Sequence, residues 1–208
     1  METLKSKIIL GLKGNLPGEI AHTEMAPINR PLSSLAIQKA ENIRESAVSI
    51  ILSIIKDDLK AILIQRPIYK GVHSGQIAFP GGKKDLTDPH LEYTARRESY
   101  EEVGIPMNQG ELIGELTEVY IPVSNFLVKP FVYFHDTLPL LVPEEREVAE
   151  IIPFSITDLL NPSKIKKMEV KFPNGITQKN IPCFHIENKK IWGATALILN
   201  ELRHIIRN

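Results

Sequence analysis

The sequence of 208 residues predicts a single α/β domain. Two apolar runs rich in β-branched residues, 47–55 and 59–66, are typical of buried strands. Apolar residues recur at helical spacing over 194–205, and 88–104 carries both a helix start signal and a stop signal. A chain of this length is sufficient for one domain with a full-sized core.

Residues 1–44 are predicted to form a helical lead-in, and the main domain is predicted to span 45–208. Three apolar residues of the lead-in recur at helical spacing: Leu4, Ile8 and Leu12. They predict a short amphipathic helix that ends near Gly14. The prolines that follow predict an irregular crossing, and a second short helix is predicted over 34–44.

The main domain is predicted to begin with a β-hairpin, because Lys56-Asp57-Asp58 separates the two apolar runs. Further β structure is predicted in this order: 76–79, 112–120, 128–135, a strand ending at Pro153, and 166–171 and 181–186 around a turn at 173–175. The apolar stripe of 194–205 predicts a closing amphipathic helix, and we interpret the stripe as core.

The segment 88–104 is predicted to be a helix with defined ends. Asp88 is suited to cap the first amide groups and Pro89 to occupy the first helical position. Gly104 is suited to the left-handed conformation that ends a helix.

Three carboxylates in this helix, those of Glu98, Glu101 and Glu102, are spaced i, i+3 and i+4 and therefore share one face. Core-type residues precede them on the same face: Leu91, Thr94 and Ala95. This order places the acids at the rim of a cleft, although the helix dipole disfavours negative charge in the last turn. Clustered hard oxygen ligands favour Mg²⁺ or Mn²⁺. The alternative is a solvated face in which Arg97 and Glu101 form an ordinary i,i+4 pair.

These residues together resemble the signature of the Nudix hydrolases, which is a glycine, a spacer, and R-E-x-x-E-E-x-G before an aliphatic residue. The matching residues are Gly81, Gly82, Arg97, Glu98, Glu101, Glu102, Gly104 and Ile105. The resemblance implies an α/β/α sandwich with a mixed sheet and a loop-helix-loop metal site. It implies hydrolysis of a nucleoside diphosphate linked to another group.

By position, the resemblance implies that Glu98, Glu101 and Glu102 are catalytic metal ligands, that Arg97 orients them, and that the glycine pair shapes the loop before the helix. Bound cations would neutralise phosphate oxygens and lower the pKa of an attacking water.

The chain departs from the family pattern before the helix. The distance from Gly82 to Arg97 is one residue longer than the family spacing, and Pro89 stands eight residues before Arg97, where an acid is expected. Three nearby acids are candidates for that role: Asp85, Asp88 and Glu92. Ser99 stands directly after Arg97-Glu98, where the family usually has a small aliphatic residue.

The longer spacer is similar to that of the coenzyme A pyrophosphatase branch, which also has the pattern L-L-x-x-R-S-x-x-x-R-x-x-x-G-x-x-x-F-P-G-G. Five residues match it in register: Arg66, Gly75, Phe79, Gly81 and Gly82. Gly71 replaces the second arginine beside Lys70, which weakens the inference of coenzyme A as substrate. The runs 121–126 and 191–196 also resemble this branch. The resemblance implies the following substrate-binding candidates: Arg66, Lys70, His73, Phe79, Gly81 and Gly82.

Two candidates have plain alternatives. Family members often take a further carboxylate from a late loop, as ligand or general base, and Glu147 is the candidate here beside Glu144 and Glu145. A solvated acidic loop is the alternative. His73 lies near the expected phosphate site, and a surface histidine is the alternative.

Composition limits the function classes. Lys and Arg together number 25, and Asp and Glu together number 25, so the formal net charge is zero. The chain therefore has no overall positive charge that would attract nucleic acid or an anionic membrane. Cys183 is the single cysteine, which excludes an internal disulfide and is typical of a reducing cytosol. The first residues lack the apolar run of a signal peptide, and no stretch is long enough to span a bilayer. We expect a cytoplasmic protein with a small-molecule nucleotide substrate, and we leave a homodimer open.

The expected function is metal-dependent hydrolysis of coenzyme A or acyl-coenzyme A to 3′,5′-ADP and a phosphopantetheine. One alternative is the same chemistry on ADP-ribose or another nucleoside diphosphate derivative. A second is a non-catalytic nucleotide sensor, which would not require all three glutamates of the helix.

Overall fold

The computed structural model describes residues 2–69, 73–171 and 175–207. The helices of these residues are α1 (Glu2–Lys13), α2 (Gly18–Glu24), α3 (Ser33–Ile37), α4 (Leu91–Val103), α5 (Ile156–Leu160), a 3₁₀ turn (Pro162–Lys164) and α6 (Gly193–Arg207). The strands are β1 (Arg44–Ile55), β2 (Asp58–Gln65), β3 (Ile77–Ala78), β4 (Gly81–Lys83), β5 (Glu111–Glu115), β6 (Val119–Ile121), β7 (Phe126–His135), β8 (Glu150–Ser155), β9 (Ile165–Lys171), β10 (Thr177–Ile186) and β11 (Lys189–Ile191). No described helix has the length and apolar content needed to cross a membrane.

The main sheet is mixed and is centred on β1. Its order is β3-β2-β1-β7-β5, with β4 paired to β1, β6 to β7 and β8 to β2. β1 and β7 are parallel, and the other pairs are antiparallel. A parallel pair needs a crossover connection, and α4 lies within it. A smaller antiparallel sheet has the order β11-β10-β9.

The predicted hairpin of β1 and β2 is confirmed. Lys56 and Asp57 have φ of 51° and 61°, the left-handed conformation of a two-residue hairpin turn. Both strands are apolar on both faces because both faces of the sheet are covered. Ile50 and Leu52 lie in the main core, whereas Ile51 lies in a second core beneath α4.

The two cores confirm the predicted α/β/α sandwich with a mixed sheet. The main core packs α6 and the lead-in against one face of the sheet, and the second core packs Val103 and Ile105 against the other. The predicted closing helix is therefore core, with Leu202 fully buried.

The lead-in differs in part from its prediction. The first helix is confirmed as α1. The second helix, predicted over 34–44, forms as α3 but is shorter than predicted, because α3 ends at Ile37 and β1 begins at Arg44. The side-chain amide of Asn125 binds the carbonyls of residues 41 and 42, and Arg44 pairs with Phe126 on β7. Sheet pairing across the chain thus overrides local helix propensity.

Tertiary contacts also account for α2, which lies where an irregular crossing was predicted. The buried carboxylate of Glu201 on α6 accepts hydrogen bonds from the amide of Gly18 at 3.1 Å and from Thr117 Oγ1 at 2.6 Å. His22 Nε2 lies 3.0 Å from the same carboxylate. Ile8 and Met25 belong to the main core, so the lead-in packs as part of the domain.

Two smaller differences concern strands, and one predicted turn is only partly described. The strand predicted over 112–120 is divided into β5 and β6, and β11 was not predicted. Of the predicted turn at 173–175, Pro173 and Asn174 lie outside the described residues.

Candidate active site

Helix α4 carries the candidate carboxylates, and its start differs from the prediction. The helix begins at Leu91, and His90 is the N-cap, with Nδ1 accepting a hydrogen bond from the amide of Tyr93. Pro89 therefore precedes the helix, and Asp88 does not cap it. The predicted stop is confirmed, because Gly104 has φ of 76°. A β-carbon is disfavoured in this left-handed conformation.

Three carboxylates come together at one point. One oxygen each of Glu98, Glu102 and Glu147 lies within 4.8 Å of the others. Glu147 reaches this point because its loop is fastened to the end of α4, where the amide of Glu144 donates to the carbonyl of Glu102 at 3.0 Å. Carboxylates at this spacing are a donor set for a hard divalent cation.

Glu102 is the deepest of the three, with 1% of the residue exposed. Its Oε2 accepts a hydrogen bond from the amide of Gly81 at 2.8 Å, and its Oε1 lies 3.9 Å from Arg66 Nη1. Burial raises the pKa of Glu102 to about 8, and the nearby charges of Glu98 and Glu147 act in the same direction. A buried carboxylate held this way favours a bound cation, since a cation removes the cost of burying the negative charge.

The glycine pair makes room for the carboxylates. A β-carbon at Gly82 would overlap the carboxylate of Glu98, and one at Gly81 would overlap the carbonyl oxygen of Ala47. Burial also raises the pKa of Glu98, while Arg97 lowers it. Gly82 therefore lets β4 lie close to the carboxylate of Glu98 on α4, and Gly81 lets β4 pack closely against β1.

Arg97 joins the loop before α4 to the acids on it. Its guanidinium binds both carboxylate oxygens of Asp88, and its Nη1 donates to Glu98 at 2.9 Å and to Glu101 at 2.8 Å. Its Nη2 also donates to the carbonyl of Lys83 at 3.1 Å. The hydrogen bonds from Arg97 lower the pKa of Asp88 to about 2. Asp88 is thus ionised and fixes the guanidinium.

The acid expected before Arg97 is therefore Asp88. Counting eight residues back from Arg97 gives Pro89, but the extra residue of the spacer lies between Asp88 and Arg97. Counting forward from Gly82 instead would have selected Asp88 from the sequence. Asp85 joins this network through its backbone, since its amide donates to the carboxylate of Asp88 and its carbonyl accepts from the amide of Asp88. Glu92 binds Arg96 instead.

The other predicted residues are placed as follows. Glu101 is exposed and lies outside the group of three carboxylates. It forms an ion pair with Arg97. Arg66 borders the group, and its buried Nε has no hydrogen-bond partner among the described residues. His73 Nδ1 lies 3.1 Å from Gln76 Oε1. Phe79 is 2% exposed and packs in the main core, so we assign it a packing role instead of the predicted substrate contact. Lys70 lies outside the described residues.

Comparison with known proteins is consistent with this geometry. A family model described as the NUDIX domain matches residues 44–173. An uncharacterized Nudix hydrolase NudL of Salmonella paratyphi B is 32% identical over 164 residues, which cover 78% of this chain and 83% of the relative. A NudL of Salmonella newport has the same identity and coverage. The structure of a MutT/nudix family protein from Enterococcus faecalis is similar with a TM-score of 0.51 at 15% identity, over 88% of this chain and 71% of that one.

Proposed function

Because this chain belongs to the Nudix hydrolase family, we propose that it cleaves the pyrophosphate of coenzyme A or acyl-coenzyme A to 3′,5′-ADP and a phosphopantetheine. The broader activity is that of the family: hydrolysis of a small nucleoside diphosphate derivative with a divalent cation. The observation that carries the hydrolytic assignment is the meeting of Glu98, Glu102 and Glu147 at one point.

We assign the cation to the carboxylates of Glu98 and Glu102, with Glu101 at the edge of the site. Mg²⁺ or Mn²⁺ bound there would neutralise the pyrophosphate and lower the pKa of the attacking water. Arg97 holds Glu98 and Glu101 in place through Nη1. The amide of Gly81 holds Glu102.

We assign proton removal from the attacking water to Glu147. This residue is exposed, while its carboxylate oxygen belongs to the same group as those of Glu98 and Glu102. A general base must lie within hydrogen-bond reach of the proton it removes, and the exposed carboxylate of Glu147 beside Glu98 and Glu102 is the acid that we assign to that position. Its loop is fixed to α4 by the amide of Glu144.

Arg66 supports the choice of a substrate rich in phosphate. Its guanidinium lies beside Glu102, and its Nε has no partner among the described atoms. The Arg66 side chain is 32% exposed, so the terminal nitrogens of its guanidinium are suited to a phosphate oxygen at the rim of the site. The in-register match of Arg66, Gly75, Gly81 and Gly82 to the branch pattern favours coenzyme A, whose 3′-phosphate adds a further anionic group.

The deciding experiment compares substrates at fixed metal and pH. We expect kcat/KM for coenzyme A to exceed that for 3′-dephospho-coenzyme A by about tenfold or more, the effect of one charge-assisted contact. Lys70→Ala should reduce this ratio if Lys70 replaces the missing arginine. Faster turnover of ADP-ribose than of coenzyme A would reject coenzyme A as the substrate and leave the broader hydrolase.

One further assignment concerns the cellular setting, and one rival function is left to be tested. We propose a reducing, cytoplasmic setting, which the buried thiol of Cys183 supports. A non-catalytic sensor is the rival class, and it predicts tight nucleotide binding without release of product under any metal.

A further inference from the structure

The loop that carries Glu147 is exposed except at one residue. Every residue of 142–150 other than Val148 is exposed, whereas Val148 is 2% exposed. The chemistry described above gives Val148 no role, although it directly follows Glu147, to which we assign proton removal. An exposed loop rich in charged side chains is mobile by default. The burial of Val148 is therefore the feature that distinguishes this loop from a solvated one.

Val148 is buried in the second core, beneath α4. The buried residues that it joins there come from the sheet and from the end of α4: Ile51 of β1, Ile62 and Ile64 of β2, Val103 of α4 and Ile105 just after it. Leu141 and Ile151, on either side of the loop, pack against the same core. Val148 is thus the residue beside Glu147 that fixes the middle of the loop in the core.

Backbone hydrogen bonds fix the direction in which the loop leaves this anchor. The amides of Glu147 and Val148 both donate to the carbonyl of Glu144, at 2.9 and 2.8 Å, and so close one helical turn. The next amide, that of Ala149, donates to the carbonyl of Gln65 on β2 at 2.8 Å. A closed turn on one side of Val148 and a bond to the sheet on the other restrict the positions that Glu147 can take.

The same arrangement occurs on α4. Glu102, the deepest acid of the site, is directly followed by Val103, which is fully buried in the second core. Glu147 is directly followed by Val148 in that core. The carboxylate oxygens of Glu102 and Glu147 belong to one group within 4.8 Å. Two acids that lie far apart in the chain thus meet above a core that holds the valine after each.

We propose that Val148 is a positioning residue for the hydrolytic reaction, and that its burial in the second core holds the carboxylate of Glu147 at the group of acids. The inference rests on the proposed function in one respect, namely that Glu147 removes the proton from the attacking water. A general base acts only within hydrogen-bond reach of that proton, and a displacement of about 1 Å can cost about a hundredfold in rate. Loss of the anchor should therefore slow the chemical step. It should not weaken the cation, whose assigned ligands, Glu98 and Glu102, lie on α4.

Val148→Ala tests the proposal, since it removes two methyl groups and leaves a cavity in the second core. Val132→Ala is the matched control, because Val132 is fully buried in the main core on β7. We expect Val148→Ala to lower kcat by about tenfold or more and to leave the Kd for Mn²⁺ near its wild-type value. Val132→Ala should lower Tm but keep wild-type kcat. Val148→Ile keeps a β-branched apolar side chain and should stay within about threefold of wild-type kcat.

Three kinetic results would overturn the proposal. These are wild-type kcat in Val148→Ala, an equal fall of kcat in Val132→Ala, and a rise in the Kd for Mn²⁺ as large as the fall in kcat. The last result would mean that the whole site is disturbed. If Val148→Ala does not fold, Val148→Thr takes its place, because it keeps the size of valine but adds a hydroxyl that an apolar core leaves unpaired.

Amide hydrogen exchange gives a readout that does not depend on activity. The amides of Val148 and Ala149 donate the bonds that hold the loop. They should exchange at least about tenfold faster in Val148→Ala than in Val132→Ala, since local opening has its own free energy. Equal exchange in the two variants contradicts the anchor. If the wild type hydrolyses none of the nucleotides tested, the proposed function fails instead, and exchange still decides whether Val148 holds the loop.

Discussion

The guanidinium of Arg97 binds the carboxylate of Asp88 through two parallel hydrogen bonds, from Nε at 3.0 Å and from Nη2 at 2.9 Å. The third nitrogen, Nη1, remains for Glu98 and Glu101. Paired bonds of this kind fix the plane of the guanidinium. Asp88 therefore determines where Arg97 presents Nη1 to the acids of the site.

Substitution of either partner should reduce turnover. Arg97→Lys keeps the charge but lacks the planar fork, and Asp88→Asn removes the charged acceptor. We expect kcat to fall by about tenfold or more in each variant, and the free energy of unfolding of Asp88→Asn to fall by about 1–3 kcal/mol. Steady-state kinetics at saturating metal and denaturant titration measure the two effects. Wild-type kcat in Arg97→Lys would mean that the residue forms only a surface pair.

Conversion of Glu98 or Glu102 to the amide should abolish most activity. Glu98→Gln and Glu102→Gln should each lower kcat by at least about a hundredfold, the scale of a lost transition-state charge interaction. Removal of the divalent cation with a chelator should abolish hydrolysis by the wild-type enzyme.

The loop acids provide a matched comparison. Glu147→Gln should lower kcat by about a hundredfold or more, as expected for loss of a general base. Glu145→Gln, in the same loop, should change kcat by less than about twofold, since surface charges contribute little. Equal effects in the two variants would contradict the role of Glu147. The Kd for Mn²⁺ decides whether the exposed Glu101 is a metal ligand. Glu101→Gln should raise this Kd if Glu101 is a ligand and should leave it unchanged if it is not.

The raised pKa of Glu102 predicts a pH dependence of stability. Its pKa is about 8 in the folded protein and near the usual 4.5 in the unfolded chain, so the folded state holds more protons between these values. The free energy of unfolding of the metal-free protein should therefore fall as pH rises from about 4.5 to about 8. Over the same range the affinity for Mn²⁺ should rise, by up to about tenfold per pH unit, because the ion displaces the proton.

Denaturant titration in chelator at several pH values measures this slope. Glu102→Gln, which has no proton to lose, should flatten it. A wild-type protein whose stability does not depend on pH across the window would show that burial does not hold the proton on Glu102.

Gly82→Ala tests the close approach of β4 to α4. A methyl group there would overlap the carboxylate of Glu98, so we expect kcat to fall by about tenfold or more as the carboxylate moves. Gly14→Ala is the control, because its β-carbon would meet only ordinary contacts of 3.5 Å or more. Equal kcat in the two variants would show that Glu98 has room to shift without cost.

The buried carboxylate of Glu201 should be important for stability. Glu201→Gln weakens the contacts to Gly18, Thr117 and His22, and a charged acceptor with several donors is worth about 1–3 kcal/mol. We expect a loss of that size in the free energy of unfolding, with kcat preserved in the folded fraction. An unchanged midpoint of denaturation would contradict this role.

The sequence predicted the parts of the molecule that local patterns encode. The hairpin at Lys56 and Asp57, the stop at Gly104 and the apolar face of α6 each follow from a few neighbouring residues. The shared face of Glu98 and Glu102 follows from helical spacing alone.

The remaining features depend on contacts between distant residues. Helix α2 is short and lacks a side-chain cap, and its position depends on Glu201, so its own segment carries no clear signal. The capping role of His90 was missed because Asp is preferred over His at helix N-caps. The carboxylate of Asp88 is instead bound by the guanidinium of Arg97. Glu147 was found only through family resemblance, since its approach to Glu102 is set by a backbone hydrogen bond.

The bond between Gly18 and Glu201 has a consequence for biosynthesis, because the two residues lie 183 positions apart. A ribosome makes the lead-in long before it makes α6, so Ile8 and Met25 have no finished core to enter during most of translation. Contacts of such long sequence separation slow folding, and the exposed apolar segments of the nascent chain are surfaces that chaperones bind. The domain should therefore reach its native state only after synthesis has passed residue 201, and nascent chains stalled before α6 should stay sensitive to protease.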